Sequence, residues 1–131
     1  EESGPDCYSG KKGCVETLLS GPGFAKDYQG LGGEALSGLQ IGERLAAGED
    51  LANRAFDRYL DRLGKALATL MGVLDPDVVV LGGGMSNLDA LYPRISNAIL
   101  PHVFSDEVLT PVLKNRHGDS SGVRGAALLW E

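Results

Sequence analysis

The sequence predicts an α/β fold in which helices pack on a small sheet, and two neighbouring stretches carry that expectation. Residues 50–74 repeat apolar side chains at three- and four-residue steps, the pattern of a long helix with one continuous buried stripe. Residues 78–81, Val-Val-Val-Leu, form an unbroken apolar run between Pro76 and the triplet Gly82, Gly83 and Gly84. Such a run reads as a short buried strand ending in an open loop. A long helix that hands the chain directly to an apolar strand implies layers, with helices covering the sheet.

Bulk properties narrow the partners. An apolar content of 43% over 131 residues is enough for one domain with its own core. No apolar run approaches the roughly 18 residues of a membrane span and no signal peptide is evident, so a soluble, cytoplasmic protein that binds no membrane is expected. The chain opens Glu-Glu-Ser-Gly without an initiator methionine, which reads as a fragment or processed piece. A net charge of −6 argues against nucleic acid on this surface, because phosphate backbones recruit clustered Lys and Arg. An anionic ligand would need local backbone donors or a metal.

In chain order, residues 1–13 read as an irregular loop, with Pro5, Gly4, Gly10 and Gly13 and no periodic pattern. Cys7 and Cys14 bracket it. Residues 14–20 can make two helical turns, and Ser20 can cap a second helix through Phe24, Ala25 and Tyr28. Residues 29–38, with four glycines, predict a surface connection, and a short helix over 39–47 closes at Gly48. On the long helix the apolar stripe runs from Leu51 to Leu74, with Asn53, Arg54, Asp57, Arg58, Asp61, Arg62 and Lys65 on a solvated face. Asp61 and Lys65 have the favourable i, i+4 spacing. After the glycines, Leu88, Leu91, Tyr92, Ile95, Ile99 and Leu100 predict a helix from about Asn87 to Pro101, kinked near Pro93. Residues 108–113 predict an edge strand weakened by Pro111, and a last helix runs from Asp119 or Ser120 to Trp130 with Val123, Ala126 and Ala127 on one face.

Three features have chemical potential. The glycine triplet lacks Cβ atoms, so a phosphate or nucleotide could approach its backbone, although the same triplet makes an ordinary turn. Cys7 and Cys14 are either free thiols or metal ligands. Glu16 reads as an exposed first-turn glutamate favoured by the helix dipole, with a carboxylate free to accept hydrogen bonds.

Cys7-Tyr-Ser-Gly-Lys-Lys-Gly-Cys-Val-Glu16, followed by Ser20-Gly21, resembles the cysteine signature of the ROK family of bacterial sugar kinases and sugar-responsive repressors, Cys-x-Cys-Gly-x-x-Gly-Cys-x-Glu. Two further stretches, 75–87 and 116–127, resemble the fructokinase/mannokinase branch in particular. Three motifs in order over nearly the whole chain carry more than any one alone. The resemblance implies the C-terminal lobe of an actin-like, ribonuclease-H-like ATPase fold spanning 1–131, with a degenerate zinc loop at 1–16, a strand and adenosine-side glycine loop at 75–86, and the N-terminal half absent.

By that resemblance, Gly82, Gly83, Gly84 and Ser86 contact the adenosine end of ATP, and Glu16 hydrogen-bonds the sugar. Cys7 and Cys14 are zinc ligands, but Ser9 stands where the family has its middle cysteine, and the upstream histidine ligand lies outside the chain. A hydroxyl is a poor zinc donor, so the structural zinc is weakened or lost. His102 and His117 match no sugar-kinase role, and Asp119 reads as a helix cap. The implied reaction is ATP- and Mg²⁺-dependent phosphorylation of a hexose, fructose first, with mannose, glucose or an N-acetylated amino sugar behind it. The family's phosphate loop and catalytic aspartate belong to the other half, so no catalytic residue is assigned in this chain, and alone it is expected to be inactive. The alternatives are the sugar-sensing body of a ROK repressor and a non-catalytic lobe of a homodimer.

Overall fold

The architecture is built on α4 (Asp50–Leu74), which crosses the whole fold and packs against helices that come before and after it in the chain. The computed structural model describes residues 4–118 and 121–130. Along α4 the predicted stripe is buried from Ala52 through Leu67 except for half-buried Ala66, with Phe56 wholly inaccessible. Each such large apolar side chain contributes about 1.5–3 kcal/mol on burial. The stripe is not continuous to the end, because Leu70 and Leu74 are exposed while Met71 between them packs against the core. Asp75, in the left-handed conformation, ends the helix before Pro76.

Three helices lie N-terminal to α4: α1 (Val15–Leu19), α2 (Gly21–Gly30) and α3 (Gly38–Ala46). The starts of α2 and α3 follow from capping chemistry. The Ser20 hydroxyl accepts the Gly23 N–H at 3.1 Å, as expected, and Ser37 with Gln40 closes a reciprocal capping box on α3. Phe24 and Tyr28 of α2 and Ile41 of α3 join Phe56 and Tyr59 in the core, where Phe24 meets Tyr59 edge-on with ring centroids 5.4 Å apart. The opposite face of α4 is less solvated than its charges suggest. Arg62 is largely buried and donates to Asp27 of α2 at 3.0 Å, while Arg58 forks onto the same carboxylate at 2.9 and 3.0 Å. Asp61 and Lys65 pair at 2.8 Å as predicted.

The sheet has two parallel strands, β1 (Val79–Leu81) and β2 (Val112–Lys114), in the register Val79↔Val112, Val80↔Leu113 and Leu81↔Lys114. Parallel pairing requires a crossover, and residues 82–111 supply it. Three expectations change here. The first strand is shorter than 78–81 and is only partly buried, with Val78 and Val80 exposed, because the described helices cover one face of it. The second strand begins after Pro111 rather than running through it; proline has no N–H for the ladder, but its carbonyl accepts the Val79 N–H at 3.0 Å. The single helix expected over 87–101 is instead two 3-10 turns (Gly84–Asn87 and Asp89–Leu91), α5 (Ile95–Ile99) and a 3-10 turn (Leu100–His102). Pro93 and Pro101 interrupt the helical ladder at both ends of α5.

α5 packs tightly on α4, and Leu91, Ile95 and Ile99 are buried there. Gly64 makes the approach possible, since a Cβ there would strike the Ala98 carbonyl. The last helix, α6 (Ser121–Ala127), exposes Val123, Ala126 and Ala127, so the face predicted for it packs on nothing described. Its expected cap, Asp119 or Ser120, lies outside the described residues. No helix among the described residues is long and apolar enough to cross a membrane.

Candidate functional site

Where α2 and α3 begin, they face the turn that follows β1, and a cleft of about 380 Å³ opens between the three segments. Gly21 and Pro22 line it from the start of α2, Ser37, Gly38 and Leu39 from the start of α3, and Gly84, Met85 and Asn87 from the turn. Both helices bring their N-termini, with their partial positive charge, to this space. The Met85 sulfur seats between the two helix starts. A Cβ on Gly21 or Gly38 would lie 3.8 or 3.5 Å from it, ordinary van der Waals contact, so both helix starts pack directly on the sulfur.

Of the glycine triplet, Gly84 lines the cleft, and Gly82 and Gly83 lead to it from the end of β1. A Cβ at Gly82, Gly83 or Gly84 would meet nothing within 4 Å, so its backbone lies bare to an approaching group. Gly83 has φ +74°, a conformation that side chains disfavour. The expectation that Ser86 faces a ligand meets a different geometry. Ser86 is 1% exposed, and its hydroxyl donates to the Gly83 carbonyl at 2.6 Å while accepting from Asn115 Nδ2 at 2.9 Å. It fastens the loop from within. Tyr92 donates to the Ser86 carbonyl at 2.6 Å, and burial pushes its phenol pKa up, so the donor keeps its proton.

Glu16 is exposed in the first turn of α1 and does not line this cleft; its backbone carbonyl accepts the Ser20 N–H and closes the turn. α1 and α2 meet at Ser20, so Glu16 and the cleft residue Gly21 sit on consecutive helices.

The N-terminal loop is more ordered than its composition suggests. An antiparallel bridge joins Asp6 to Lys12, Cys7 N–H donates to the Lys11 carbonyl at 2.8 Å, and Gly13 N–H to the Pro5 carbonyl at 2.9 Å. This hairpin gathers Cys7, Ser9 and Cys14: Ser9 Oγ lies 3.6 Å from Cys14 Sγ, and hydrogen bonds from Ser9 hold the Cys7 thiol below its ordinary pKa. The donor set does not fit a structural zinc. It offers two thiols and a hydroxyl, and no group of three or more His, Cys, Asp or Glu among the described residues could hold a metal. Elsewhere, His102 pairs with Asp61 at 3.2 Å, and His117 donates its backbone N–H to Asn115 Oδ1.

Sequence reasoning misses three contributors: the start of α3, Met85 and Asn115. Met85 directly follows the glycine triplet, which is the available signal; Asn115 is far from the loop in sequence and gives none.

The superposition on solved structures gives the chain the fold of a lobe of an actin-like ATPase. The chain superposes on the ROK hexokinase from Thermus thermophilus with a TM-score of 0.80 and 28% identity, covering 98% of this chain and 43% of that one. A ROK glucokinase from Streptomyces griseus, solved with glucose and AMPPNP, gives a TM-score of 0.85 at 23% identity over 96% of this chain and 47% of that one. The family model described as the ROK family matches residues 1–131, and the chain belongs to that family. Among curated relatives, the N-acetyl-D-glucosamine kinase of Photobacterium profundum is 42% identical over 94% of this chain and 41% of its own length. The N-acetylgalactosamine kinase AgaK of Shewanella sp. ANA-3 is 37% identical over 94% of this chain and 40% of its own. The chain therefore spans about two fifths of the curated relatives it matches.

Proposed function

We propose that the full-length protein carrying this chain as its C-terminal lobe is an ATP-dependent sugar kinase. The observation that carries the proposal is the cleft between the starts of α2 and α3 and the bare glycine loop. Its apolar floor at Met85 and Leu39 suits a nucleobase, while the open backbone of Gly82, Gly83 and Gly84 suits the ribose and phosphate that follow. Ser86 serves by holding Gly83 rather than by touching nucleotide. Glu16 accepts hydrogen bonds from sugar hydroxyls, a role that its exposure on α1 leaves open. Mg²⁺ accompanies the nucleotide and neutralises phosphate charge; no residue of this chain is assigned to it.

The sugar moves from fructose to an N-acetylhexosamine, because the relatives at 37–42% identity are named for N-acetyl-D-glucosamine and N-acetylgalactosamine. Coupled measurement of ADP release from the full-length protein tests this, with N-acetyl-D-glucosamine, N-acetylgalactosamine, fructose, mannose and glucose compared by kcat/KM. N-acetyl-D-glucosamine should lead by at least about tenfold; fructose in first place would favour the fructokinase resemblance instead, and no turnover with any sugar would overturn the kinase reading. A homodimer is the proposed assembly, supported by exposed apolar side chains at Val73, Leu74, Phe104 and Leu109, and sedimentation at several concentrations checks it.

A further inference from the structure

We infer that Asn115 is the positioning residue that sets the conformation of the glycine loop, an inference that rests on reading that loop as a nucleotide contact. Asn115 directly follows β2, and its Nδ2 donates to the Leu81 carbonyl at 3.0 Å and to Ser86 Oγ at 2.9 Å. Those acceptors stand on either side of the glycine triplet: Leu81 ends β1, and Ser86 lies just beyond Gly84. One amide therefore bridges the two ends of the loop. Its Oδ1 accepts the His117 N–H at 3.2 Å, so the two ends of the amide are not interchangeable; nitrogen faces the carbonyl and oxygen faces the donor.

The chain of bonds continues from Asn115 through the Ser86 hydroxyl to the Gly83 carbonyl at 2.6 Å, and Gly83 is the triplet member at positive φ. The buried hydroxyl of Ser86 cannot exchange a lost donor for bulk water, so removing the amide leaves the Ser86 oxygen without its donor and unties Leu81 from it. Asn115 thus transmits the register of β2 to the peptide that a nucleotide would meet, without touching the nucleotide itself.

Calorimetric titration of the full-length protein with AMPPNP and Mg²⁺ tests this without requiring the sugar to be known. Asn115→Asp keeps the shape and the Oδ1 acceptor but replaces both donations, and should weaken AMPPNP about tenfold while the unfolding temperature stays within a few degrees. Ser86→Ala removes the relay and should weaken AMPPNP similarly. Because both act through one path, the double variant should bind no worse than the poorer single. Unchanged affinity in Asn115→Asp, multiplicative losses in the double variant, or a weakening that only tracks a large fall in unfolding temperature would overturn the inference. Should Asn115→Asp not fold, Ser86→Ala carries the test, and unchanged AMPPNP affinity there overturns the inference equally. Gly83→Val separates the two levels: if it leaves AMPPNP binding intact, the reading of the loop fails, whereas if it blocks AMPPNP and Asn115→Asp does not, the inference alone fails.

Discussion

Cys7 shows how one neighbouring hydroxyl tunes a thiol. Ser9 lies between the two cysteines in the hairpin, and it hydrogen-bonds the neighbouring sulfurs. Stabilising the thiolate lowers the Cys7 pKa, so alkylation by iodoacetamide should reach half its maximal rate at a lower pH than for an ordinary thiol. Ser9→Ala removes the largest stabilising contact and should move that midpoint upward; superimposable rate profiles for the two proteins would count against the hydrogen bond. Ser20 offers a second test at this scale. Its hydroxyl caps α2 beside the cleft, so Ser20→Ala should cost about 1 kcal/mol in denaturant unfolding.

Among the elements, α4 is the most legible in sequence, because twenty-five residues of apolar periodicity leave little room for another period. The cap of α2 is legible for a related reason: a serine before a helical stretch has a local chemical role that needs no tertiary knowledge. The segment over 87–101 is less so, since its apolar spacing is compatible with one helix while Pro93 and Pro101 divide it into turns and a five-residue α5. The glycine loop is visible in sequence, but its support is not. Asn115 and Tyr92 reach it through tertiary folding, and Ser86, which motif resemblance makes a ligand contact, is instead committed to internal bonds. The packing of α5 on α4 is equally hidden, because only the structure shows that Gly64 lies against the Ala98 carbonyl. Gly64→Ala gains helix propensity but forces the helices apart, and should lower stability by about 1–3 kcal/mol, read as a shifted denaturant midpoint. An unchanged midpoint would mean that α5 shifts at no cost.

For the molecule as a whole, the described residues leave apolar surface open. Val80 and Leu113, paired in the strand register, are both exposed, and so are Leu70 and Leu74 at the end of α4. With no carboxylate assigned to activate a sugar hydroxyl, residues 1–131 alone should show no ATP-dependent phosphorylation of any hexose; turnover by the purified chain, abolished by Glu16→Gln, would refute that expectation. The central claim is that the loop after β1 holds the nucleotide of a sugar kinase. It is tested most directly by the Michaelis constant for ATP of the full-length protein carrying Gly83→Val, with N-acetyl-D-glucosamine as acceptor. The account predicts a rise of at least about tenfold in KM for ATP, because the valine is strained at positive φ and fills bare backbone, with KM for the sugar nearly unchanged. An unchanged KM for ATP would remove the loop from the site and contradict the account.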